Sequence, residues 1–78
     1  MREKARLDKS TAEQREAAVQ GMLRELGVAL QTVNEDWVAD LGRRLRSAGA
    51  MGRAVPALAL ALEDTDAAVR LCAVRGLG

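Results

Sequence analysis

The chain has 78 residues, about half of them hydrophobic, with 12 basic and 11 acidic side chains and a formal net charge of +1. That length holds one small domain; a single cysteine forms no internal disulfide, and the lack of histidine removes mixed Cys/His zinc sites. No apolar run approaches the roughly 20 residues of a membrane-spanning helix, and Met1-Arg2-Glu3-Lys4 lacks the apolar core of a secretion signal, so no membrane partner and an intracellular, cytoplasmic location are expected.

The apolar residues are mostly Ala, Leu and Val; Ile, Phe and Tyr are absent and Trp37 is the sole aromatic. Small aliphatic side chains suit closely packed helices, whereas strands recruit β-branched and aromatic residues. An all-α fold is expected. Residues 1–10 carry six charged side chains of both signs, with Ala5 and Leu7 between them, and read as a charged N-terminal helical extension or frayed tail. Ser10 with Glu13, and Thr11 with Gln14, have the spacing of a capping box, so a first packed helix is expected to start there. Ala18, Met22, Leu26 and Ala29/Leu30, broadened by Val19 and Leu23, form its apolar stripe. Gly21 and Gly27 weaken it by roughly 1 kcal/mol each relative to Ala.

The pattern breaks over Thr32-Val33-Asn34-Glu35-Asp36, where Asn34 is placed to cap a second helix and the acidic residues suit its first turn. Trp37, Val38, Leu41, Leu45 and Ala48 form the expected buried line. Trp37 is read as a core anchor that fills the space its small neighbours leave. Gly49 and Gly52 supply the stop. A third helix is expected over about Arg53 to Leu62 and a fourth over about Ala67 to Leu77. Leu58-Ala59-Leu60-Ala61-Leu62 alternates as a strand would, but Ala and Leu are strong helix formers, and Pro56 suits a helix's first turn better than a paired strand.

Sliding the chain on itself by 32 residues lays Leu26 on Leu58, Val28 on Leu60, Leu30 on Leu62, Asn34 on Asp66, Trp37 on Val69, Leu41 on Ala73 and Leu45 on Leu77. In the second copy, Asp64 and Asp66 can accept hydrogen bonds from the free amides that open the last helix. Arg70, one turn on, is expected to reach back to either carboxylate. That copy, Ala54-Val55-Pro56-Ala57-Leu58, then Leu62, Asp64, Asp66, Val69-Arg70, Ala73 and Leu77-Gly78, resembles a HEAT repeat of the short variety found in phycobilin lyases. The resemblance implies that Pro56 bends or starts the first helix, that Asp64 and Asp66 hold the turn, and that Val69 and Arg70 open the second helix. Residues 22–49 match loosely, with Arg24 where the second copy has Pro56 and Val38 where it has Arg70. The expected organisation is a charged extension (1–10), a degenerate or capping HEAT-like hairpin (11–49) and a HEAT-like repeat (50–78), together an α-solenoid fragment.

Little in the chain carries catalysis, and no cofactor is expected. Cys72 lies among Leu71, Ala73 and Val74 with no histidine to activate it and reads as core. Glu63, Asp64 and Asp66 lack the glycine and terminal glutamate of a calcium loop. The feature that stands out is Arg43, Arg44, Arg46 and Arg53, with no acidic residue between Leu41 and Leu62. These arginines are candidate contacts for a protein partner. They also suit an acidic peptide or phosphate groups, although the lack of aromatics for base stacking and the small net charge weigh against nucleic acid. The functional expectation is a non-enzymatic protein-binding scaffold; the alternative is a nucleic-acid or phosphate-binding module. The last helix leaves an apolar face uncovered, so further repeats of a parent chain, or two copies packed end to end, are expected to cover it.

Overall fold

The computed structural model describes the backbone from Arg2 to Gly78 and the side chains from Thr11 onward. Four helices follow one another: α1 (Arg2–Gln31), α2 (Glu35–Ser47), α3 (Met51–Leu62) and α4 (Ala67–Leu77). The described residues contain no strand, and the all-α expectation holds.

α1 does not start at Ser10 or Thr11. Its backbone is helical from Arg2, because residues 2–20 contain neither Gly nor Pro and are rich in Ala, Glu, Arg, Lys and Gln, all good helix formers. No backbone boundary therefore falls at residue 10; the charged side chains of residues 1–10 lie outside those described. Thr11 to Ala18 are all exposed, so Ala18 is not part of the buried stripe, which consists of Val19, Met22, Leu26 and Ala29. The helix ends in a Schellman turn: Asn34 N donates to Ala29 O (3.0 Å) and Val33 N to Leu30 O (3.2 Å). Val33 holds the left-handed position at φ 55°. For a residue with a Cβ that conformation costs roughly 1–2 kcal/mol, offset here by packing of Val33 against the core.

Asn34 caps α2 as expected, its Oδ1 accepting from Trp37 N at 3.1 Å, with Glu35 and Asp36 in the first turn. Val38, Leu41, Gly42 and Leu45 are buried. Trp37 is half-buried at the edge of the core, and Ala48, expected inside, is the exposed C-cap. A second Schellman turn closes this helix, with Gly49 at φ 70° and Ala50 N donating to Leu45 O at 2.8 Å.

That turn redirects the chain at once, so α3 begins at Met51, ahead of the expected Arg53. Gly52 lies inside the helix and is not a stop. Pro56 consequently sits in the second turn, not the first, where its missing N–H leaves the carbonyl of exposed Gly52 to water. Ala54, Leu58 and Ala61 are buried while Leu60 is exposed. Burial in the Leu-Ala run thus follows the helical period, not strand alternation.

The turn into α4 is built from side chains. Asp64 Oδ1 accepts from Asp66 N (2.8 Å), and Asp66 Oδ1 from Ala68 N (2.9 Å). Arg70 donates to the main-chain carbonyls of Asp64 (2.7 Å) and Thr65 (3.1 Å), not to a carboxylate as expected. Both carboxylates already accept from backbone amides, and the turn leaves its carbonyls facing the guanidinium.

α2 is central, packing against α1 on one side and α4 on the other, and α4 also packs against α3. The closest approach is between α2 and α4. A Cβ on Gly42 would overlap the carbonyl of Gly76, and one on Gly76 would lie 2.9 Å from both Leu58 Cδ2 and Val38 Cγ1. Leu26, Val38, Leu41, Leu45, Leu58 and Cys72 are the largest fully buried side chains. Burial recurs at the 32-residue shift: Met22 and Ala54, Leu26 and Leu58, Ala29 and Ala61, Leu41 and Ala73 are buried pairs, and Val28 and Leu60 are an exposed pair. Asn34 and Asp66, the two capping residues, obey the same shift. Val38 and Arg70 depart from it, one buried and the other exposed.

Candidate functional site

The four arginines singled out in the sequence do not form one patch. Arg43 and Arg44, three and four residues after Asp40 and so just under and just over one helical turn away, share its carboxylate at 3.3 and 3.6 Å. Arg46 turns toward the end of α4 and donates to Leu77 O at 2.8 Å. Arg53 leaves the group altogether: it pairs with Glu16 of α1 at 2.8 Å. The Arg53 guanidinium, as hydrogen-bond donor to the Glu16 side chain, holds that carboxyl below the usual glutamate range, with a lesser contribution from Gln20.

What the fold assembles instead is a groove of about 620 Å³ between α2 and the C-terminal end of α4, lined by Asp36, Ala39, Arg43, Arg46, Arg75 and Gly76. Gly78 completes its lining at φ 45°, close beneath the Arg46 guanidinium. Arg75 was not among the sequence candidates. It lies 3.2 Å from Glu35 and 4.0 Å from Asp36. The signal that finds it is the internal repeat, since a shift of 32 lays Arg43 on Arg75. Arg44 faces a separate shallow hollow on α2 with Asp40 and Ser47.

The groove suits recognition more than reaction. Guanidinium groups stay protonated across the accessible pH range and offer paired donors to planar anions, but they neither accept protons nor act as nucleophiles. Cys72 is fully buried in the core, where desolvation pushes its thiol up, reinforced by the Glu35 and Asp66 carboxylates and opposed by Arg75. Such a thiol stays protonated and shielded. Among the described residues, no group of three His, Cys, Asp or Glu side chains is placed to hold a metal ion, and no helix is long and apolar enough to cross a membrane.

The second helix pair carries most of the exposed large apolar side chains: Val55, Leu60 and Leu62 on α3, Leu71 and Val74 on α4. Leu60 is 72% and Val74 55% exposed. Comparison of the chain with family models, with curated proteins and with solved structures returned no match.

Proposed function

We propose that this chain is a non-catalytic, protein-binding scaffold made of two HEAT-like hairpins that stack as part of an α-solenoid. The observation that carries the reading is the set of large apolar side chains left in solvent on α3 and α4. Exposed apolar groups in such number mark a surface that another protein layer covers. Stacked helical hairpins bury their outer faces only against neighbours, and the recurrence of burial and capping at 32 residues supports the same organisation. The covering layer is a further hairpin of a parent chain or a second copy.

Sedimentation equilibrium over a range of concentrations tests this. Self-association is expected for the unmodified chain and is expected to disappear in Leu60→Glu and Leu71→Glu, which leave the buried core intact. A chain that stays monomeric at every concentration and binds no apolar dye overturns the reading.

The arginine-lined groove supports a second reading, a phosphate- or nucleic-acid-binding module. The departure of Arg53 from the cluster and the carboxylates beside Arg43 and Arg75 weigh against it. A steep loss of affinity for DNA or RNA with rising salt is the result that favours it.

A further inference from the structure

We infer that the groove between α2 and α4 is a docking site for an acidic peptide segment of a partner protein, read by Arg43, Arg46 and Arg75. This rests on the scaffold reading and names what one of its surfaces takes.

Three guanidiniums, Arg43, Arg46 and Arg75, line the groove with one carboxylate, Asp36; Asp40 and Glu35 pair with Arg43 and Arg75, so Arg46 carries the groove's positive charge that no carboxylate among the described residues meets. The floor is nearly free of side chains, formed by Ala39, Gly76 and Gly78, which lets an extended backbone approach between the arginines. Arg43 and Arg75 are related by the 32-residue shift, so α2 and α4 each bring a basic side chain to the groove, and α2 adds Arg46.

Two of the three arginines already rehearse the contact. Arg43 is held at 3.3 Å by Asp40, and Arg75 at 3.2 Å by Glu35, with the four side chains between 37% and 75% exposed. Solvent-exposed pairs of this kind are weak, so an incoming carboxylate exchanges with them at little cost and inherits extended, oriented guanidiniums. Arg46 is anchored at Leu77 O and, among the described residues, pairs with no carboxylate. It is the position at which a new anion adds a charge-assisted bond without displacing one.

The same carboxylates disfavour a nucleic acid. Asp36, with its side chain 98% exposed, stands in the groove, and a continuous phosphate backbone would run past it. A peptide can set its acidic side chains against the arginines and a neutral residue against Asp36.

The test measures binding of a short fluorescent glutamate-rich peptide to the full chain, with its glutamine counterpart and single-stranded oligothymidylate as controls. Saturable one-to-one binding of the acidic peptide is expected. Arg75→Gln and Arg46→Gln are expected to weaken it by about tenfold each, Arg53→Gln to leave it within about twofold because that residue lies outside the groove, and Asp36→Asn to tighten it. The gain in Asp36→Asn cannot arise from misfolding, and circular dichroism checks the others. Equal binding of the glutamine peptide, equal damage from Arg53→Gln, or tighter Arg75-dependent binding of the oligonucleotide each overturns the proposal. Leu60→Glu and Leu71→Glu are expected to leave peptide affinity unchanged, so failure of the stacking face and failure of the groove give different results.

Discussion

A methyl group on Gly42 has nowhere to go, because the backbone carbonyl of Gly76 occupies that space, and backbone cannot rotate away as a side chain can. Gly42→Ala is therefore expected to destabilise the fold by about 1–3 kcal/mol. Gly76→Ala should do so too, since its Cβ would press on Leu58 and Val38 together. Gly21 and Gly27 are the contrast. Both lie inside α1 with nothing within 4 Å of an added Cβ, so replacement by Ala should stabilise by about 0.5–1 kcal/mol through helix propensity. Urea unfolding of the four variants checks the two signs. In the sequence all four look alike, as glycines within helical stretches. Only the crossing of α2 over α4 separates those that are required from those that are not.

At the scale of the helices, start signals read locally and succeed where the cap is local. Asn34 and Asp66 each accept from an amide within three residues, and α2 and α4 begin immediately after them. Asn34→Ala and Asp66→Ala should each cost about 0.5–2 kcal/mol, read as a lowered denaturation midpoint. A smaller effect at Asp66 would show that Asp64 and Arg70, which brace the same turn, take over its role. The same logic misplaced the other two starts. Ser10 and Thr11 have capping side chains, but no breaker precedes them, so the helix propagates back to Arg2. α3 starts early because the Gly49 turn reverses the chain within three residues, which puts Pro56 a turn deeper than its chemistry favours.

For the molecule as a whole, Arg53 and Glu16 tie α1 to α3, two helices that lie 37 residues apart in the chain at this contact. Glu16 has a folded-state pKa below its unfolded value, so the pair's contribution is present above about pH 4.5 and is lost as the pH falls through the depressed folded value. Unfolding experiments across the acid range should show the wild type losing its advantage over Glu16→Gln as pH drops. Because both side chains are about half exposed, high salt should shrink the same difference at neutral pH. An acid limb unchanged by the substitution would mean that the pair contributes nothing to the fold.

By itself the sequence determined the helical class and the positions of the two capped turns, because propensity, capping and apolar period act over a few residues. It also singled out Arg43 and Arg46, which line one groove in the structure. The tertiary structure alone decided that Arg53 leaves the group for Glu16, that Arg75 joins it, and that two glycines 34 positions apart must touch. The first depends on how α3 comes back against α1 and the other two on how α4 lies across α2; both are settled by the combined packing of residues such as Leu26, Val38, Leu41, Leu45, Leu58 and Cys72, a sum over distant residues that no local pattern contains.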